Sequence, residues 1–427
     1  MIARIIHISF YYLSLIPLTS FLLFRFLPPG QVDLARILMA VILVLLILPL
    51  WILLRGIPKS SFHLPKNCIW FCVAFVLGLA FLIWRISIHT QGMTDAWQMW
   101  NMKGKFYFVS FATGQDFRLV LSEWFHPGYP IFFPLQLAGL AILFGSWNPV
   151  IPVLVAVAYY LLIALIFLEL SQKIHSASPY WPRTLSDFGF LLAIALPALP
   201  GIIMATAEQC ADIPLAAFLL YAFRLTVSPL DWQSQSRADS SRMLVLLGLS
   251  CGAILHINNE GVLLMMFVLP VFAWVHRSRL KLPRGAVAFL GPLFMSVLLL
   301  VLFKANAPEL QPYKFQSERV IHDVLDLSRY AFIIKGFLAF QILTAFFAPF
   351  VAVFLVWQYR RGDFFLFLPL LLNFAFYHAF FLITPDDLPW HWISAYHRIN
   401  IQIMPAWFFL AAASLGGGIA LQNVQNE

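Results

Sequence analysis

Charge is what this chain has least of: 11% of its 427 residues are Asp, Glu, Lys or Arg, less than half the share of about 25% found in water-soluble domains. That excludes a soluble globular fold, and with 61% hydrophobic residues a disordered chain is excluded as well. Cysteine is equally sparse. Cys68, Cys72, Cys210 and Cys251 are too few and too scattered for a disulfide framework, and Cys68 and Cys72 share one face of a single apolar run. They read as small apolar residues. There is no internal repeat and no low-complexity tract. The first apolar run lacks a small-x-small cleavage site and ends at Pro28-Pro29-Gly30, so it is expected to be a retained anchor. The net charge of +8 requires no nucleic acid, because the basic excess can sit in cytoplasmic connections, where the positive-inside bias expects it.

Apolar sequence is what the chain has in abundance, with a mean hydropathy of +0.84. Runs bounded by Pro, Gly or charge fall at 8–27, 34–54, 67–88, 129–145, 149–170, 187–203, 212–227, 243–256, 261–276, 286–303, 331–357, 364–383 and 401–421. A helix crossing a bilayer needs about 20 mostly apolar residues, and none of the runs shows the ten-residue alternation of outer-membrane strands. The expected fold is therefore all-α: a polytopic transmembrane helical bundle with about 12–13 hydrophobic helices. The whole chain reads as one integral-membrane domain, with two extra helices in 1–66 and a core in 67–421 that carries a large outer loop at 89–128.

Basic residues orient the bundle. Arg55, Lys59 and Lys66 crowd one connection, Arg224, Arg237 and Arg242 a second, Arg277, Arg279, Lys281 and Arg284 a third, and Arg360 with Arg361 a fourth. Placing all four in the cytoplasm leaves 89–128, 204–211, 257–260, 304–330 and 384–400 on the outer face. If 129–145, 149–170 and 187–203 all crossed, the downstream loops would invert, so one is expected not to span. The choice falls on 129–145, where Pro127, Pro130 and Pro134 should disrupt regular helix. Ionisable residues within the runs sit near their ends, and their near absence at mid-depth argues against a coupled transporter.

The unusual residues lie in the outer segments. Gly92 to Phe111 joins Trp97, Trp100, Phe106, Tyr107 and Phe108 to Asp95, Lys103 and Lys105, a composition suited to an amphipathic juxtamembrane helix lying in the headgroup layer. Asp95 reads either as the cap of that helix or as a carboxylate placed to take a proton from a hydroxyl. His126 and Tyr129 flank a proline-stiffened entry to the membrane. Glu208 and Asp212 bring two further carboxylates, with Asp212 also fitting a helix start ahead of Pro214. Ile257 to Gly261 is a tight polar link holding Glu260. Asp386, Asp387, His391, His397 and Arg398 share the last outer segment with Trp390 and Trp392, and a guanidinium there can grip phosphate through paired hydrogen bonds. An aromatic surface, cationic clamps and a carboxylate together suit a substrate with a long apolar chain, a phosphate and a polar head, such as a polyprenyl-phosphate sugar.

At these residues the sequence resembles the GT-C superfamily of integral-membrane glycosyltransferases, in the bacterial branch related to dolichyl-phosphate-mannose protein mannosyltransferases. Asp95, Ala96, Trp97, Trp100 and Lys103 match an Asp-Ala-Trp-x-x-Trp-x-x-Lys-Ala stretch, with Gly104 where Ala is usual. His126, Pro127, Tyr129 and Pro130 match a His-Pro-Asp-Tyr-Pro element, with Gly128 in place of the acid. Ala211, Asp212, Pro214 and Leu215 match Ala-Asp-x-Pro-Leu; Asn259, Glu260 and Gly261 match Lys-Asn-Glu-Gly with Asn258 for Lys; Trp390, His391 and Arg398 match a late Trp-His…Arg element.

The resemblance implies inverting transfer of a sugar from a polyprenyl-phosphate donor, at the outer face of a bacterial cytoplasmic membrane, to an acceptor that is a glycan, lipid or protein. Asp95 would be the general base or would share a divalent ion, Mg or Mn, with Asp212. Lys103, His391 and Arg398 would neutralise the leaving phosphate, Glu260 and Asp212 would orient the sugar, and Trp97, Trp100, His126 and Tyr129 would complete the binding surface. The alternative is a lipid-linked glycan transporter or a catalytically silent polyprenyl-phosphate-binding protein.

Overall fold

In the computed structural model, residues 2–54, 68–93, 95–115, 129–175, 187, 191, 199–227, 237–306, 317–344, 353–357, 361–384 and 387–415 are described. Among them there is no strand, and the chain is an all-α helical bundle. Among the described residues six helical stretches are long and apolar enough to cross a bilayer: Ile2–Phe26, Val32–Leu54, Ile69–Ile88, Val150–Gln172, Pro283–Ala305 and Phe365–Leu382.

The helices that position the site are α1 (Ile2–Phe26), α2 (Val32–Leu45), α3 (Ile47–Leu54), α4 (Cys68–Ile88), α5 (Met102–Thr113), α6 (Phe132–Phe144), α7 (Val150–His175), α8 (Pro200–Ala207), α9 (Asp212–Val227), α10 (Arg237–Ile257), α11 (Asn259–Val275), α12 (Arg277–Leu280), α13 (Pro283–Asn306), α14 (Ser317–Leu325), α15 (Leu327–Thr344), α16 (Arg361–Phe364), α17 (Leu368–Leu382) and α18 (Leu388–Leu415). At the centre stands α9, in which every residue from Asp212 to Val227 is buried. It packs along α18, itself buried from Ile399 to Leu415. A helix apolar on all sides has no surface to offer water, so its place is inside the bundle. Around this pair lie α7, α10 and α11.

Two elements depart from expectation. The segment 129–145 contains a regular helix, α6, because Pro134 falls in its first turn, where no intrahelical N–H is needed. At about 1.5 Å per residue, 13 residues extend roughly 20 Å, well short of a hydrocarbon core about 30 Å thick. Ten of them are buried against neighbouring helices. The second departure is larger. Of what reads as an outer loop at 384–400 followed by a helix from 401, residues 388–400 are continuous with that helix in α18, entered through Asp387, whose Oδ1 accepts from the Trp390 N–H at 3.0 Å. Charged residues end an apolar run on paper, but they continue a helix when their charges are matched inside the fold.

The end of α9 distant from Asp212 carries a second buried polar cluster. Arg224 donates through Nε and Nη2 to the two carboxylate oxygens of Glu169 on α7 at 2.8 and 2.9 Å. His7 of α1 lies 3.4 Å from the Arg224 guanidinium and 2.5 Å from the Tyr221 hydroxyl. This cluster ties α1, α7 and α9 together.

Candidate functional site

The segment before α5 begins with Gly92, at φ +76°, where a Cβ would lie 2.6 Å from the Glu208 carbonyl. Only glycine fits so close to that backbone. The Met93 N–H reaches the same carbonyl at 3.4 Å. Gln209 is the one non-glycine residue at positive φ among those described (57°). Its side chain donates to the Thr90 carbonyl at 3.2 Å and accepts from Asn101 at 3.0 Å. The 90–101 and 208–212 segments are thus fastened side by side.

From this clamp a π-helical turn, Ala96–Asn101, leads into α5. Asp95 stands at its start, and its carboxylate caps nothing. It reaches across to α18 and accepts from Arg398 Nη1. The Arg398 Nε donates to Asp212 Oδ2 at 2.9 Å, and Gln402, one turn further along α18, donates to Asp212 Oδ1 at 2.6 Å. Asp212 is therefore a tertiary anchor where the sequence suggested a helix cap. Its side chain is 2% exposed, against 42% for Asp95. One guanidinium holds a buried carboxylate on one side and an accessible one on the other.

Glu208 lies in the same electrostatic neighbourhood. Burial and the charge of Asp212 push its carboxyl up to about 7, against the opposing pull of Arg398 and Arg85. Glu260 of α11 also faces the cluster: its Oε2 is buried and has no hydrogen-bond partner. The neighbouring Asn258 caps α11, its side chain accepting from the Gly261 N–H at 2.8 Å. That accounts for an asparagine where the resemblance expects lysine.

Lys103 is buried, with its ammonium 6.0 Å from the centre of the Tyr129 ring. Burial, reinforced by Lys304, holds its pKa down at about 7. Lys304, at the end of α13, donates to Asn259 Oδ1 at 2.9 Å, next to Glu260. Trp100 is buried edge-on against Tyr129, the ring centres 5.7 Å apart, while Trp97 is exposed and lines a shallow groove with Trp147 and Lys105. The α5 helix is therefore packed into the bundle along one side: a Cβ on Gly104 would stand 2.9 Å from Leu137 Cβ and 3.1 Å from the Pro134 carbonyl, so α6 excludes the usual alanine.

Asp95, Trp100, Lys103, Tyr129, Asp212, Glu260 and Arg398 thus gather at one end of the bundle, and Trp97 sits at the rim. His391 is placed elsewhere, its Nδ1 2.6 Å from the Thr384 hydroxyl and its ring against Phe380 and Phe381. His126 lies outside the described residues. Sequence reading missed Gln402, Lys304 and the clamp of Gln209 on Asn101. Spacing could have found Gln402, since i and i+4 share one helix face; nothing local announced the other two.

The two carboxylates expected to share a divalent ion, Asp95 and Asp212, are instead bridged by Arg398. Arg398 already occupies an oxygen of each carboxylate, Gln402 takes the other oxygen of Asp212, and among the described residues no group of three His, Cys, Asp or Glu is placed to hold a metal.

Beside the polar cluster opens an apolar cavity of about 340 Å³ between α1, α6, α10 and α13. Phe303, Ile131 and His256 line it and are sequence neighbours of Lys304, Tyr129 and Asn258; Leu18, Leu249 and Leu299 carry it away from the charges. The chain matches no protein-family model, no curated protein and no solved structure.

Proposed function

We propose that this protein is a membrane glycosyltransferase that moves a sugar from a polyprenyl-phosphate donor to a hydroxyl acceptor, with inversion at the anomeric carbon. The observation that carries the reading is the bridge from Arg398 to Asp95 and Asp212, which unites chain segments 303 and 186 residues apart beside an apolar cavity. An anionic lipid has two demands, a dry slot for its tail and cations for its phosphate. The cavity meets the first. Lys103, Lys304 and Arg398 meet the second, stabilising the charge that grows on the departing phosphate. A carboxylate takes the proton of the attacking hydroxyl, and a single displacement needs only one such base.

Orientation is part of the proposal. Arg277 and Arg279 mark the end of α11 opposite Glu260, with Lys281 following in the turn to α13 and Arg284 in its first turn. A basic end in the cytoplasm puts the carboxylate cluster at the outer face.

The test uses the full chain in liposomes loaded with undecaprenyl-phosphate-linked radiolabelled mannose or glucose. The expected result is release of undecaprenyl phosphate, with label appearing in a membrane-derived acceptor. Label that crosses the bilayer still attached to its lipid would instead establish a transporter and overturn the reading.

A further inference from the structure

Four carboxylates lie around one guanidinium, Glu260 on α11 and three on the fastened 90–101 and 208–212 segments, and those three are not equivalent. Asp212 has both oxygens engaged, by Arg398 and by Gln402. Asp95 gives an oxygen to Arg398. The Glu208 carboxylate makes no hydrogen bond or ion pair among the described residues. Its backbone, though, is fixed: the Glu208 carbonyl meets the Met93 N–H, and the strained neighbour Gln209 is pinned to Thr90 and Asn101. A non-glycine residue at positive φ persists only where its surroundings hold it there, and such residues cluster at functional sites. Glu208 is thus an unengaged carboxyl on a fastened backbone, sharing its clamp with the strand of chain that carries Asp95.

A carboxylate takes up a proton through an oxygen lone pair, and an oxygen that already holds a guanidinium or amide hydrogen is less open to an incoming hydroxyl. On this ground Glu208, with no partner on its carboxyl oxygens among the described residues, is better placed than Asp95 or Asp212 to receive the proton of an acceptor hydroxyl. Resting on the transfer reading above, we propose that Glu208 is the catalytic base, and that Asp95 is a positioning residue that holds Arg398 toward the phosphate. In the step, the acceptor oxygen attacks the anomeric carbon as its proton passes to the Glu208 carboxylate. The bond from the anomeric carbon to the phosphate oxygen breaks, and its electron pair leaves on the phosphate beside Arg398 and Lys103. The charged groups around Glu208 are Asp212 and Asp95, which raise its proton affinity, and Arg398 and Arg85, which lower it; the thiol of the neighbouring Cys210 is held neutral by burial.

Two measurements test this on the full chain in liposomes with undecaprenyl-phosphate-linked mannose or glucose. The first is the pH profile of transfer. Glu208→Gln should lower kcat by about 10²–10⁴ with little change in KM and remove the limb that rises through neutral pH. Glu208→Asp should restore part of the rate, and Asp95→Asn should keep the limb while raising KM. The second, independent of turnover, is infrared difference spectroscopy. The wild-type protein should show a carboxylic-acid band that disappears as pH rises through neutrality, absent in Glu208→Gln and present in Asp95→Asn. Wild-type rates in Glu208→Gln, or loss of the limb in Asp95→Asn, overturn the assignment and leave the transfer reading intact. Persistence of the band in Glu208→Gln overturns it as well. A wild-type protein that shows the titrating band but transfers no sugar overturns both.

Discussion

Replacing Arg398 with methionine is the sharpest test of how the candidate site is built. The guanidinium faces two carboxylates in different surroundings: Asp212 is 2% exposed and Asp95 42%. Without Arg398, Asp95 can turn to water, so its share of the loss is that of an accessible pair, about 0–1 kcal/mol. Asp212 cannot. It would remain as a buried carboxylate with Gln402 as its hydrogen-bond donor, and removing one partner of a buried pair costs about 3–5 kcal/mol. Arg398→Met and Asp212→Asn should therefore both be strongly destabilising, and Asp95→Asn nearly silent. The double variant Arg398→Met with Asp212→Leu removes both charges and leaves only the Gln402 amide without its acceptor. That loss is about 1–3 kcal/mol, so the double variant should be more stable than either single one. Unfolding in detergent followed by tryptophan fluorescence, with Asp212→Leu measured as the matching single variant, supplies all four corners of the cycle. Equal losses for Asp95→Asn and Asp212→Asn, or strict additivity in the double variant, would refute the claim that burial of Asp212 dominates the pair.

Other outcomes follow from the same geometry. Gly104→Ala places a methyl 2.9 Å from Leu137 Cβ and should cost about 1–3 kcal/mol through overpacking, read in the same unfolding assay. Arg224→Met, which strands the buried Glu169 carboxylate, should cost about 3–5 kcal/mol; in preparations stable enough to assay, it should leave the KM for donor unchanged. Leu135→Trp should fill the apolar cavity, raising KM for a long-chain donor and sparing one with a truncated tail. The pH dependence of kcat/KM should be a narrow bell. The ascending limb is Glu208 losing its proton through about 7, and the descending limb is Lys103 losing its charge through about 7. Lys103→Arg, which stays charged, should abolish the descending limb.

Apolar run length made most of the helices readable, since a stretch with nothing to offer water has few alternatives in a bilayer. The end of the chain was misread for the converse reason. His391, His397 and Arg398 look like loop residues until Asp212 is seen to neutralise one of them, and that pairing spans 186 residues. The misplaced boundary also hid Gln402, which lies one helical turn beyond Arg398. The aromatic stretch Gly92 to Phe111 was read as helical, and the structure is helical there through most of its length, yet composition could not say which tryptophan is buried. Trp100 packs on Tyr129 and Trp97 does not, because the turn between them is π-helical and shifts the face presented to α6. Pro134 misled in its own way, being a breaker in mid-helix and harmless in the first turn.

The bridge at Arg398 also sets an order of events during biosynthesis. Asp212 emerges 186 residues ahead of the cation that balances it, a delay of roughly 10–40 s at common elongation speeds. Throughout that interval the nascent protein carries an acidic group with no internal counterion at the head of its most deeply enclosed helix. The helix must wait near the translocation machinery, or near water, until the last long segment arrives. A ribosome that stops short of residue 388 leaves a product whose defect is electrostatic, open to membrane quality control before any loss of function is felt.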